Sequence, residues 1–266
     1  MAASYAIEWS VFTKPWKTQS LAELGALIKG MGFDGIELPV RPGYQVEPEN
    51  VARDLPKAAK QLAAAGLKIH SIAGPTDEVT IAACGEAGVP IIRTMARMPR
   101  DQKYLEVEVR LQQEYEALVP ALDKHGVTIG VQNHCDDFVT SAIGLRHLME
   151  RFDRKHIAAV WDVAHCALNG EDPELAVDIV WPHLCLVNFK NAYWRRKKGP
   201  EAEYAEWQHY WTTGRQGLAP WHRAAKVLKE RGYRGAICLT AEYSDEAAVE
   251  RLAREDIAYA KSLFAS

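Results

Sequence analysis

The sequence predicts an α/β fold, a single (β/α)8 TIM barrel spanning residues 1–266. Three observations carry this. The length of 266 residues suits one such barrel, typically ~250 residues. Short apolar, β-branched runs alternate eight times with segments of helical spacing, with no linker, low-complexity tract or charge block between them. Polar residues gather where two of the runs end, in TIGVQNHCDDF and IAAVWDVAHCALNGEDP. Strands buried on both faces, followed by loops that carry chemistry, give this pattern. An open doubly wound sheet is the alternative topology, but no GxGxxG or GxxxxGK(S/T) follows the first strand.

Residues 5–12 (YAIEWSVF) read as the first strand, with Trp16 in the loop after it. Ser20 N-caps a helix over 20–31, which Gly32 closes. Residues 35–38 form the second strand, stopped by Pro39 and Pro42. Asn50 caps a helix to residue 65, ended by Gly66. The third strand is 68–73, a short helix covers 76–87, and the fourth strand is 90–94. A long helical pattern over 101–125 ends at Gly126. Strand five begins at Thr128 and strand six ends at Asp162. Between them Ile143, Leu145, Leu148 and Phe152 fall near helical spacing over 141–152. Glu171-Asp172-Pro173 opens a helix to residue 180, since proline and acids suit a first turn. The seventh strand is 184–189. Residues 191–218, with a basic run and many aromatics, read as irregular, and a loop that long is uncommon unless functional. A helix over 221–231, an eighth strand over 236–241 and a helix over 245–263 complete the chain.

Composition narrows the function. The apolar fraction of 48% and charged fraction of 25% are those of a soluble globular chain. A net charge of −3 makes no electrostatic case for nucleic acid or an anionic membrane. No basic-then-apolar leader opens the sequence, and no apolar run nears the ~20 residues of a membrane span. The five cysteines, odd in number, scattered and without a CxxC, argue for a reducing compartment, hence a cytoplasmic protein. Two of them, Cys135 and Cys166, fall inside the polar bursts.

Residues two apart on a strand share a face. Gln132 and His134 therefore point one way at the end of strand five, as do Asn188 and Lys190 on strand seven and Thr240 and Glu242 on strand eight. Asp162 ends strand six, with His165 a short turn on. Converging at the top of a barrel, these offer oxygen and imidazole ligands for Mg²⁺, Mn²⁺, Co²⁺ or Zn²⁺, and candidate acids and bases. Each also has a plainer reading. Asp162 caps a turn, His165 is structural, Gln132 and Asn188 tie down backbone, Lys190 is an ion-pair partner, and Glu242 starts a solvated loop. His70 and Glu37 stand between substrate contact and structure. Arg195 opens a basic run that reads as solvated loop or as a phosphate or carboxylate contact.

At this point the chain resembles the xylose isomerase-like barrels: sugar-phosphate isomerases and epimerases, ketose 3-epimerases, inosose dehydratases and endonuclease-IV relatives. The pieces that carry the resemblance are GFDGIEL, GVQNH, WDVAHCALNGEDP and GYRGAICLTAEYSD. It implies one divalent metal held by Glu, Asp, His and Glu from strands five to eight, and a second histidine that meets the substrate. Those positions fall on Gln132, Asp162, Asn188 and Glu242 as metal ligands. His165 follows as the substrate histidine. Counting from Gly235 lands on Thr240; the chemistry selects Glu242. Gln132 and Asn188 depart from the family, so the site is a diverged one that favours Mg²⁺ or Mn²⁺.

The function this implies is a sugar or sugar-derivative isomerase or epimerase. It would work by metal-assisted proton abstraction next to a carbonyl, with Glu242, His134, His165 and Lys190 catalytic and His70, Glu37, Asn133 and Arg195 binding a small carbohydrate. A lyase or dehydratase on a keto-sugar, keto-glycoside or cyclitol is the second reading. A non-catalytic sugar-binding barrel or partner-dependent subunit is the third, and homo-oligomerisation stays open. A DNA-repair nuclease fits poorly, because the extra histidines and the basic face are missing.

Overall fold

Each apolar run becomes a strand because neighbours cover both of its faces. In the computed structural model, which describes residues 7–265, eight such strands close into a barrel. They are β1 (Glu8–Phe12), β2 (Gly35–Pro39), β3 (Lys68–Ala73), β4 (Ile91–Met95), β5 (Thr128–Gln132), β6 (Ile157–Asp162), β7 (Leu184–Phe189) and β10 (Ala236–Leu239). Their order is β1-β10-β7-β6-β5-β4-β3-β2, with every pairing parallel. Residues 5 and 6 of the expected first strand lie outside the described residues.

The helices are α1 (Leu21–Gly30), α2 (Val51–Ala64), α3 (Glu78–Ala87), α4 (Tyr104–His125), α5 (Ala142–Met149), α6 (Val163–Leu168), α7 (Pro173–Val180), α8 (Trp221–Glu230) and α9 (Val249–Phe264). Ser20 and Glu23 form a reciprocal capping box on α1, satisfying two otherwise orphaned amides. Asp77 and Ser141 cap α3 and α5 with their side chains. Asn50 stands before α2 but makes no side-chain cap, because a 3-10 turn over Pro48–Asn50 already leads into it. The short α6 has no counterpart in the sequence reading. Its start is fixed by Asp162, whose carboxylate accepts from the amides of Ala164 and His165.

Residues 191–218 are not irregular. They hold an antiparallel hairpin of β8 (Asn191–Lys198) and β9 (Glu206–Thr212). Strand periodicity missed it because neither face is covered along most of its length, so apolar and polar residues do not alternate. Cross-strand ring and cation contacts do the work instead: Tyr193 on Tyr210 at 5.2 Å and Arg196 over Trp207 at 5.2 Å, a kind of pairing that stabilises two-stranded ribbons. The base is anchored. Asn191 donates to the carbonyls of Gly214 and Ala219 at 2.9 Å each, and the Trp194 indole donates to Leu168 O at 3.0 Å.

The main core lies between the strands and the surrounding helices, with Trp161 and Trp221 fully buried in it. A second, small cluster of Phe12, Ala73, Ile91, Val160, Leu186 and Cys238 sits on the alternate side chains that face inward. Gly130 belongs to that inner wall. A Cβ there would lie 2.7 Å from Val160 Cγ2 and 3.2 Å from Cys185 Sγ, so glycine permits the close packing beneath the residues that follow on β5. Two positions on from Gly130 the inward residue is Gln132, and the interior turns polar.

Candidate active site

The polar layer begins with an ion pair. Glu37 on β2 is fully buried, and its carboxylate meets the Arg93 guanidinium of β4 at 2.7 Å and accepts from Ser71 Oγ at 2.9 Å. Arg93 passes the chain on, donating from Nη1 to Gln132 Oε1 at 2.5 Å. Gln132 Nε2 then donates to Asp162 Oδ2 at 2.8 Å. The other Asp162 oxygen accepts from the amides of Ala164 and His165 at 3.0 and 3.1 Å. Burial pushes the Asp162 carboxyl up to about 6, against the pull of the Lys190 and Arg93 charges. Asn133 fixes the same corner: Asp162 N donates to its Oδ1 at 2.7 Å and its Nδ2 donates to Asp162 O at 3.1 Å.

Above this layer His134 and His165 lie ring against ring, centroids 3.8 Å apart. The backbone of Cys135 sets both tautomers. Its carbonyl sits 2.8 Å from His134 Nδ1, and its amide donates to His165 Nδ1 at 3.2 Å. A carbonyl only accepts, so His134 carries its proton on Nδ1 and leaves Nε2 as a lone pair. An N–H only donates, so His165 carries its proton on Nε2. Burial lowers the pKa of both rings, that of His165 well below the ordinary value with the Lys190 charge adding to it. The pair is therefore two neutral imidazoles in opposite tautomers. His165 Nε2 is buried with no hydrogen-bond partner.

Lys190 follows β7, and its carbonyl accepts the Trp221 indole N–H at 2.9 Å, which ties the lysine to α8. Its ammonium meets Glu242 Oε2 at 2.7 Å and lies 3.5 Å from the ring centroid of Trp211 on β9. Lys14 pairs with the other Glu242 oxygen. Burial favours the protonated acid, but the two lysines outweigh it and hold the Glu242 carboxyl far below the usual carboxylate range. The preceding Ala241 has φ +49°, a left-handed conformation costly for a residue with a Cβ. It turns Glu242 into the mouth after β10 has ended. Asn188, fully buried on β7, leaves both amide atoms without a partner.

These side chains enclose a cavity of about 110 Å³ lined by Gln132, His134, His165, Asn188, Lys190, Thr240 and Glu242, with Phe12, Lys14, Arg41, Arg93 and Met95. The barrel thus brings six of the expected residues to one point, with Asp162 directly behind Gln132. Four others are not there. His70 lies at the opposite end of the barrel, its Nε2 3.0 Å from Glu8 and its ring packed against Gly35. Arg195 is exposed on the hairpin, against Tyr210. Glu37 and Asn133 are sealed beneath the mouth and hold Arg93 and Asp162 in place. The plainer readings of Asp162 as a cap and Lys190 as an ion-pair partner both hold.

Sequence reasoning missed Arg93, Arg41 and Lys14. Arg93 had a signal: a charge inside the apolar run PIIRT needs a buried acid, and Glu37 two strands away supplies it.

The expected ligand set does not fit a divalent metal. Gln132 spends its oxygen on Arg93 and its nitrogen on Asp162, Asp162 spends both oxygens, and Glu242 is divided between two ammonium groups. Only the Asn188 oxygen is unpartnered, and two cations of the chain stand among the donors. Among the described residues, the His/Cys/Asp/Glu groups close enough to share an ion are His134-Cys135-His165 and Cys135-Asp136-His209. Neither contains Asp162 or Glu242. Burial pushes the Cys135 thiol up to about 12, which disfavours the thiolate a metal would need.

The family model for xylose isomerase-like TIM barrels matches residues 26–263. Among solved structures, a D-psicose 3-epimerase crystallised with D-fructose superposes at TM-score 0.73 with 12% identity, covering 98% of this chain and 100% of that one. An L-ribulose 3-epimerase gives TM-score 0.75 and 15% identity over 97% and 94%. The probable 3-DHS dehydratase AsbF from Bacillus anthracis gives 0.72 and 14% over 96% and 99%. None of the curated proteins matches. No helix among the described residues is long and apolar enough to cross a membrane.

Proposed function

The chain belongs to the xylose isomerase-like TIM barrel family, and from that premise we propose that its mouth takes a proton from the carbon next to a carbonyl in a sugar or sugar derivative. The observation that carries this is the histidine pair held in opposite tautomers by Cys135. His134 Nε2 is the free lone pair that accepts the proton. His165 Nε2–H donates a hydrogen bond to the substrate carbonyl, a task a neutral imidazole performs well. As the carbon loses its proton, the electron pair moves towards that oxygen and an enediolate forms. The Lys190 ammonium, in the same cavity, stabilises the developing negative charge. The Asn188 amide, with a donor and an acceptor unused, hydrogen-bonds a substrate hydroxyl. Glu242, clamped as a carboxylate by two lysines, positions Lys190 rather than acting as the base.

The product depends on where the proton returns. Return to the neighbouring carbon gives isomerisation, which one base on one face performs. Epimerisation also needs a group on the other face of the same carbon. Loss of a β-leaving group instead gives a dehydratase or lyase, and one base beside one donor suits that second reading.

Solvent-deuterium exchange across ketoses, keto acids and keto-inositols tests the proposal, with ultraviolet detection of an unsaturated ketone to reveal elimination. We expect exchange in at least one class, and a fall of about 10²–10⁴-fold in His134→Gln with the melting temperature kept. Silence throughout the panel would sink it.

A further inference from the structure

The chain carries a net charge of −3, yet its mouth is cationic. Lys14, Arg41, Arg93 and Lys190 line the cavity against one carboxylate, Glu242. Glu37 and Asp162 lie behind that lining and pair or bond with Arg93 and Gln132. Even with those two counted, the cations outnumber the acids. Arg41 is the surplus charge. It is half-buried, its guanidinium faces the Phe12 ring at 5.5 Å, and no acid among the described residues pairs with it. A low-dielectric pocket with an unmatched guanidinium attracts an anion, and the planar fork suits carboxylate or phosphate oxygens.

We propose that the substrate is anionic: a carbonyl-bearing sugar derivative with a carboxylate or phosphate, gripped by Arg41 with Lys14 at the rim. A larger cleft of about 1100 Å³ shares Lys14 and Glu242 with the mouth, but Asp245, Glu246 and Glu250 line it against one further cation, Arg251. Those acids repel an anion, which places the charged group on the Arg41 side. The inference rests on the proton-abstraction reading only for which atoms react; the anion grip stands on the charge arrangement. It also gives the diverged ligand positions a purpose, since the cations that spoil a metal site build this one.

Calorimetric titration with D-fructose, D-fructuronate and D-fructose 6-phosphate at low salt provides the test. At least one of the two anions should bind about tenfold or more tighter than the neutral ketose, and added salt should erode the difference. The carboxylate and phosphate arms identify which anion the mouth takes. Arg41→Met should remove most of the preference and Arg41→Lys retain part of it. Should the Met variant fail to fold, the salt dependence and Arg41→Lys decide. No binding by either anion, equal binding of neutral fructose, or a preference untouched by Arg41→Met overturns the inference. Binding is read without turnover. Bound anions with no deuterium exchange would therefore end the reaction reading alone, and exchange confined to neutral ketoses would end this one alone.

Discussion

The two halves of the barrel mouth are built on opposite principles. From β2, β4, β5 and β6 four inward polar side chains form a paired chain: Glu37 with Arg93, Arg93 with Gln132, Gln132 with Asp162, Asp162 with the start of α6. Beside them Asn188 leaves two amide atoms bare and His165 leaves Nε2 bare, and Arg41 has no acid. Burying an unmatched polar group costs about 1–3 kcal/mol, so the second half is expensive. The contrast separates scaffold from site. The paired half fixes geometry, and the unpaired half holds donors and acceptors for something that is not part of the chain.

That division can be broken from the scaffold side. Arg93→Met leaves the Glu37 charge buried without its counterion and should cost about 3–5 kcal/mol, a melting point lower by roughly 10 °C. Adding Glu37→Gln should recover much of it. If Arg93→Met melts like the wild type, the paired half is not the scaffold.

Asp162 sharpens the comparison through pH. Its carboxyl rises from 3.8 to about 6 in the folded chain, so the folded state holds the proton more tightly than the unfolded one. The stability this group contributes is greatest below about pH 4 and is lost as pH rises through about 6, a change of about 3 kcal/mol. Asp162→Asn should remove that slope. Chemical unfolding of both proteins at about pH 4 and pH 6.5 measures it, and an unchanged difference would contradict the burial argument.

The smallest stability effect belongs to the unpaired half. Asn188→Leu replaces a fully buried amide with no partners by an apolar side chain of similar size. It should leave the unfolding free energy within about 1 kcal/mol or raise it, while abolishing ligand binding. A loss as large as that of Arg93→Met would erase the distinction between the halves.

The barrel was legible because its strands follow the rule that buried parallel runs are short and apolar, and bounds such as those of β3 and β7 follow directly. The hairpin was not, because its aromatic and basic residues pair across strands that neither core nor alternation marks. At the site, Gln132, His134, His165, Asn188 and Lys190 were readable from their places at or just past strand ends. Glu242 was instead chosen for its chemistry and reaches the mouth through the left-handed turn at Ala241, because the last strand stops at Leu239 rather than 241. His70 misled because the same spacing places a residue at either end of a strand. Arg93 and Arg41 went unread because their role is set by which distant acids do or do not reach them. The engagement of the expected metal ligands went unread for a related reason: the ligand types were countable in the chain, whereas the cations that occupy Gln132 and Glu242 come from other strands and loops.

Trp211 brings an indole from the anchored base of the hairpin to within 3.5 Å of the Lys190 ammonium. Anything that settles against that ammonium changes what the indole sees. One of the eight tryptophans is thus placed to register occupancy by its own emission, and the protein can be titrated with unlabelled compounds before any product is known.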